Sequence, residues 1–256
     1  MKKQKLDIIH EDDDVIIVNK PPGLLTIPDR FRASLPHARG ILEESREKVF
    51  VVHRLDKDTS GVICFAKNAA AHKHLSLQFE HHTILKKYLA VVSGRVEKDD
   101  IDIDIPLMPN PARPGTMMPS ARGKESFTHL HVMERYRIAT LVECTLKTGR
   151  QHQLRVHCAT VGYPLVIDEL YGNATEFFVS TVKRRYNISK KDRFNEEKPI
   201  ITRASLHAAV LGFTHPRTGQ HVQFSAEPPK DFSALVNVLR KYSAIPDVLS
   251  LDAYLG

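Results

Sequence analysis

Short apolar runs separated by polar punctuation predict more strands than helices in this chain. Residues 5–9 and 15–19 read as two strands. Glu11-Asp12-Asp13-Asp14 is a polar turn between them, and Lys20-Pro21-Pro22-Gly23 halts the second. Residues 28–48 are mixed and basic, and read as a loop holding a short helix. Apolar runs at 49–52 and 61–66 flank the polar string His-Arg-Leu-Asp-Lys-Asp-Thr-Ser at 53–60, which gives strand, loop, strand. Residues 68–79 have helical spacing, with Ala71, Leu75 and Phe79 on one face. A strand follows at 88–92. Ile101, Ile103 and Ile105 alternate with aspartates, the mark of a half-buried strand. The Pro-, Gly- and Arg-rich stretch 108–123 reads as a loop. Residues 127–136 and 139–146 form an antiparallel pair, and Thr148-Gly149 turns the chain into a helix over 150–160. Strands at 205–213 and 221–225 are joined by the turn His215-Pro216-Arg217-Thr218-Gly219. A helix over 230–242 points Phe232, Leu235, Val238 and Leu239 inward.

Strands dominate and no regular βαβ alternation is present. The expected class is α+β: a single catalytic domain on a mixed, mostly antiparallel β-sheet with flanking helices and a basic active-site cleft. That domain covers 1–256, with 1–7 and 243–256 as terminal extensions and 183–203 as a basic insertion.

Charge sharpens this picture. The 256 residues include 37 Lys and Arg against 30 Asp and Glu, a formal charge of +7 that favours a polyanionic partner such as nucleic acid. Residues 183–203 hold eight Lys or Arg and three Asp or Glu, together with Tyr186 and Phe194. That segment reads either as a solvated loop or as an arm contacting RNA. The three cysteines form no Cys-x-x-Cys pair, which suits a reducing compartment. The basic start lacks the apolar run of a signal peptide, and no stretch nears the roughly 18 apolar residues of a membrane span. A soluble, cytoplasmic, monomeric protein is expected.

Two segments carry candidate chemistry. His53-Arg54-Leu55-Asp56-Lys57-Asp58-Thr59-Ser60 packs polar and charged groups densely between two apolar strands, so a polar loop sits on a rigid scaffold. In Lys147-Thr148-Gly149-Arg150-Gln151-His152-Gln153-Leu154-Arg155-Val156-His157, a helix would align Gln151, Arg155 and Cys158 on one face and aim Arg155 at a carboxylate. The 14 histidines include His129 and His131 on one strand face, but no His-Glu-x-x-His or Cys/His zinc spacing occurs. Gly-x-Ser-x-Gly and a Walker-type phosphate loop are also absent. Neither a metal nor a cofactor is expected.

The strings HRLDKDTSG, KYLAVVSG, TGRQHQLRVH, GYPLVIDELYG and LHAAVLGFTHPRTG, in that order, resemble the RluA-like pseudouridine synthase family, and the likeness runs from about Ile8 to Phe232. The resemblance implies that Asp56 is the essential aspartate, Tyr88 the active-site tyrosine and Arg155 the arginine that pairs with the aspartate. It also implies that Arg54 fills the gap left by a flipped base, that His53 joins it in substrate binding, and that Leu206 packs near Tyr88. Gln151 stands where Thr is common, and Tyr163-Pro164-Leu165-Val166-Ile167-Asp168 departs from the family's usual His-Pro-Ile-x-Gly-Asp. No small S4-type RNA-binding domain is expected ahead of the catalytic part.

The implied reaction breaks C1′–N1 of uridine, rotates the uracil and joins C1′ to C5. It is an isomerisation and needs no redox partner. A carboxylate could attack the sugar, abstract a sugar proton or attack the base. A guanidinium beside the carboxylate favours its charged form, which is the physical reason to expect Arg155 near Asp56. Extruding the base costs a few kcal/mol, part of which a stacking Arg54 offsets. The competing reading is a non-catalytic RNA-binding or folding factor. Asp56 discriminates, because a carboxylate in a basic cleft repels phosphate. Ribosomal and transfer RNAs both suit the reading, and the sequence chooses neither.

Overall fold

The computed structural model describes residues 5–29, 32–183 and 197–245. Ten strands form one sheet: β1 (Asp7–Glu11), β2 (Val15–Lys20), β3 (Phe50–Val51), β4 (Ser60–Ala66), β5 (Leu85–Ser93), β6 (Asp100–Asp104), β9 (Phe127–Arg135), β10 (Ala139–Leu146), β11 (Leu206–Thr214) and β12 (His221–Ser225). Two more, β7 (Leu107–Pro109) and β8 (Met117–Pro119), form a separate hairpin. The helices are α1 (Ala38–Glu43), α2 (Ala69–Glu80), α3 (Gln153–Thr160) and α4 (Lys230–Tyr242). The main path runs β1-β2-β4-β11-β5-β10-β9-β6, with β12 beside β11 and β3 beside β4. Every pairing is antiparallel except β4 with β11, so the fold is α+β on a mixed, mostly antiparallel sheet.

The period of two explains why both faces are covered. On β2 and β4, Val15, Ile17, Val62 and Cys64 enter one cluster, while Ile16, Val18, Ile63 and Phe65 enter another. On β5 and β10, Ala90, Val92, Val142 and Cys144 face one core, while Val91, Ala139 and Leu141 face its opposite. One helix seals each of the four cores: α2 through Leu75, α1 through Leu42, α3 through Leu154 and α4 through Phe232 and Leu235. With both faces buried, β4 is a continuous apolar run in place of an alternating one.

Two expectations are corrected. Residues 108–123 are not a plain loop, because they contain most of the β7–β8 hairpin. Its turn is closed by the Asn110 N–H donating to the Thr116 carbonyl at 2.9 Å, and Leu107 and Met117 pack on Val156 of α3. Pro109 and Pro119 sit at strand ends, where a missing N–H costs no ladder bond. Helix α3 starts at Gln153 and not at Arg150. His152 takes a left-handed conformation (φ 53°), and the Gln153 side chain folds back to accept from the Arg150 N–H at 2.9 Å and the Thr148 hydroxyl at 2.8 Å. Gln151 therefore stands outside the helix, exposed, with its amide donating to the Gly115 carbonyl at 3.3 Å.

The boundaries drawn at 203 and 243 fall inside the packed fold. Ile201 pairs with Phe177 and is buried, and the buried Ser243 accepts the Arg137 N–H through its carbonyl at 2.8 Å. Residues 184–196, including Tyr186 and Phe194 of the suggested RNA arm, lie outside the described residues, as does the tail from 246.

Candidate active site

Parallel pairing of β4 and β11, with Ser60 opposite His207 and Gly61 opposite Ala208, brings the loop before β4 and the start of β11 to the same end of the sheet. Only glycine fits at 61: its φ is 116°, and a Cβ there would lie 2.0 Å from the Ala208 carbonyl oxygen. The loop that follows β3 is tied down through its backbone. The Lys20 ammonium, fully buried, donates to the carbonyls of Lys57 (3.0 Å), Leu24 (2.8 Å) and Pro21 (3.1 Å). Burial pushes its pKa down to about 7. The Thr26 hydroxyl donates to the Leu55 carbonyl at 2.9 Å, and Arg203 donates to the Asp58 carbonyl at 3.2 Å while gripping Asp231 with two further bonds.

This anchoring holds Asp56 at the edge of a cleft of about 410 Å³, with 30% of its side chain exposed. Arg155, from α3, places its Nη1 3.6 Å from one carboxylate oxygen, and His152 places its Nε2 3.8 Å from the other. Both distances exceed hydrogen-bond range, and no described residue donates to the Asp56 side chain. Arg155 is already committed elsewhere. Its Nε and Nη2 form a two-pronged bond to Asp168 at 2.7 and 2.6 Å, and Asp168 is 1% exposed. Burial works against both charges, but the pairing outweighs it, raising the pKa of Arg155 and lowering that of Asp168.

Tyr88 stands on β5 opposite Ala208 and Cys144, packed against the clusters that contain Leu55 and Leu206. Burial first, and the Asp56 charge second, push its phenol well above the usual range, so it stays a neutral O–H. Leu206 is buried in the cluster against which Tyr88 packs. Arg54 is exposed on the loop two residues before Asp56.

His53 is not brought to the carboxylate. Its Nε2 accepts the Cys64 N–H at 3.1 Å and its ring stacks on Phe79 at 4.7 Å. Burial, with Lys86 second, pushes it down to about 3 and keeps it neutral. His53 therefore braces the loop from β4 and α2. The histidine at Asp56 is His152, for which the sequence predicts no role beside a carboxylate, and the principal partner of Arg155 is Asp168, which closes the string that departs from the family's usual pattern.

Among the described residues the lining of the cleft is balanced in charge, where a basic cleft is expected from the sequence. Asp56, Asp58 and Glu169 are matched there by Lys57, Arg155 and Arg203. Among the described residues, Asp12, Asp14 and His215 have the spacing of a metal site. These carboxylates are already served by protein donors: Asp14 by Arg217 and Asn68, Asp12 by His10 and His215. His129 and His131 pair with Asp102 and Asp100 respectively. No helix among the described residues is long and apolar enough to cross a membrane.

Residues 14–160 match the family model described as RNA pseudouridylate synthase. The chain is 39% identical over 244 residues to the uncharacterized RNA pseudouridine synthase YlyB of Bacillus subtilis, covering 92% of this chain and 73% of that protein. It is 37% identical over 251 residues to the ribosomal large subunit pseudouridine synthase D of Neisseria meningitidis serogroup B, covering 96% of this chain and 64% of that longer protein. The solved structure of human RNA pseudouridylate synthase domain containing 1 superposes with a TM-score of 0.69 at 26% identity, over 100% of this chain and 96% of that one. With its motifs in order, a carboxylate beside Arg155, and relatives matching most of its length, this chain belongs to the RNA pseudouridylate synthase family, isomerases that act on RNA.

Proposed function

We propose that Asp56 is the catalytic carboxylate for isomerising one uridine in a structured ribosomal RNA, with the base turned out of its stack into the cleft beside Tyr88. One observation carries this reading: Asp56 is reachable from solvent and lies 3.6 Å from a guanidinium whose other bonds go to Asp168. Arg155 thus supplies a fixed positive field without occupying the oxygens of Asp56, so these stay open to a sugar or a base. Tyr88, neutral and half-buried, offers a ring face for stacking and an O–H for proton handling.

Arg54, exposed on the same loop, is the side chain assigned to enter the stack that the uracil leaves. His53, by its contacts, serves as a loop brace. Relatives named for the ribosomal large subunit favour ribosomal over transfer RNA as the substrate. The β7–β8 hairpin packs on α3 and is a candidate reader of RNA shape. The three cysteines are free and buried, which suits a reducing cytoplasm. A monomer suffices, since Asp56, Tyr88 and Arg155 all come from one chain.

The test is tritium release from RNA labelled at uridine C5. Asp56→Asn is expected to bind RNA within about threefold of wild type and to release no tritium, since a bound substrate gains nothing from binding alone. Release at the wild-type rate by this variant refutes the assignment. A non-catalytic binding role requires that the wild type release none.

A further inference from the structure

The cleft contains a histidine that neither the motif resemblance nor the catalytic reading above employs. His152 projects Nε2 toward Asp56 at 3.8 Å, and its Nδ1 lies 2.8 Å from the Tyr171 hydroxyl. The hydroxyl oxygen accepts the Met117 backbone N–H at 2.8 Å. A peptide N–H can only donate, so that bond has one direction. The phenol has a single proton, and among the described residues its remaining acceptor is His152 Nδ1. Were Nδ1 to carry the proton instead, the phenol oxygen would accept twice and its own hydrogen would have no acceptor among the described residues. The chain of bonds therefore runs from Met117 N–H to Tyr171 Oη, and from Tyr171 O–H to His152 Nδ1. The imidazole proton is left on Nε2, the atom that faces Asp56.

His152 is held in the left-handed region at φ 53°, directly before the first residue of α3. Both bonded partners are structurally fixed. Met117 belongs to β8. The loop carrying Tyr171 is pinned by the Asp168 carboxylate, which accepts the N–H groups of Leu170 (2.9 Å) and Tyr171 (3.1 Å) as well as Arg155.

We infer that His152 is a positioning residue for Asp56, a neutral imidazole whose Nε2–H faces the carboxylate across 3.8 Å and whose tautomer is set by the Tyr171 hydroxyl. It does not act as a base, because its only lone pair in the ring plane is occupied by Tyr171. Its partner across the carboxylate is Arg155, so the two oxygens of Asp56 each face one N–H group, at 3.8 and 3.6 Å. The charged and titratable groups around His152 are Asp56, Arg155, Asp168 and Tyr171. Burial, set against the pull of Asp56, keeps the ring's pKa low, and the ring neutral, at physiological pH.

This inference rests on Asp56 being the catalytic carboxylate, and its test separates the two. The full-length protein labelled with ¹⁵N-histidine, with His152→Asn to assign the ring signals, reports the tautomer directly. Protonation at Nε2 is expected, and protonation at Nδ1 overturns the inference whatever the enzyme's activity. Kinetics of tritium release provide the second readout. A glutamine amide nitrogen takes the place of Nε2, so His152→Gln is expected to keep kcat within about threefold. Asparagine suits the left-handed backbone and reaches Tyr171 but not Asp56. His152→Asn should lose roughly 100-fold in kcat with KM within about twofold, the usual cost of removing one preorganised donor. Equal kcat for the two variants overturns the inference.

Tyr171→Phe frees Nδ1 to take a proton, and an imidazolium would then occupy Asp56. As pH is lowered, its kcat should begin to fall at a higher pH than that of the wild type, because the freed Nδ1 can take the second proton. A Tyr171→Phe profile that coincides with that of the wild type also overturns the inference. If Asp56→Asn were active, the catalytic reading itself would fail, a result independent of all these outcomes.

Discussion

Asp168→Asn isolates the buried pair that positions Arg155. In the native site both Asp168 oxygens accept from Arg155, at 2.6 and 2.7 Å, in a pocket where Asp168 is 1% exposed. Asparagine keeps one oxygen but turns an NH₂ group toward the guanidinium, so one bond survives and one becomes a donor–donor contact. Breaking a buried pair from one side costs about 3–5 kcal/mol, and the surviving bond argues for the lower end. For a domain of this size, about 3 kcal/mol lowers Tm by roughly 6–12 °C. The released guanidinium has a second anion within reach. Asp56 lies 3.6 Å away, an attraction of about 4–5 kcal/mol at an effective dielectric near 20, before screening by solvent. Arg155 should therefore swing onto Asp56 and occupy the oxygens that must stay open, lowering kcat by roughly 100-fold.

The pH dependence has a definite sign. Pairing with Arg155 outweighs burial and depresses the pKa of Asp168, so its stabilisation is fully present above the ordinary aspartate value and is lost as pH falls through the depressed value. The difference in Tm between wild type and variant should hold from pH 5 to 8 and shrink below about pH 4. Thermal melts across that range, with single-turnover tritium release at pH 7, make the assay. A variant that melts within about 2 °C of wild type and turns over normally would refute the argument that Asp168 holds Arg155 off the carboxylate.

Other expected outcomes follow from the same geometry. Tyr88→Phe keeps the ring and its packing against Leu55 and Leu206, while Tyr88→Ala removes both. If stacking is the main role, Phe keeps most activity and Ala loses it; an inactive Phe variant shows that the hydroxyl handles a proton. Gly61→Ala drives a methyl into the Ala208 carbonyl at 2.0 Å and strains a φ of 116°. It should yield insoluble protein or lower Tm by more than about 10 °C, in line with a backbone clash in a core strand. A wild-type melt for Gly61→Ala would mean that β4 and β11 are not locked in this register.

The sequence by itself determined the framework. Val15–Val18, residues 61–66 and 139–146 are apolar enough that their burial was dictated locally, and α4 was legible end to end because its inward stripe repeats at helical spacing. The motif strings likewise marked Asp56, Tyr88, Arg155 and Leu206, since each lies in a dense, ordered string. Tertiary structure alone decided which of these residues meet. Arg155 finds Asp168 across 13 residues and a turn, and the Tyr171 hydroxyl reaches His152 only because a proline-rich stretch folds into a hairpin that offers Met117 N–H. His53 and His152 look alike as polar residues near a motif. One ring is taken up by Cys64 and Phe79, and the other is turned by a left-handed backbone toward the carboxylate. Local patterning encodes which face of an element is apolar. It does not encode a contact between two polar side chains on different loops, because that distance is set by how the sheet and helices pack.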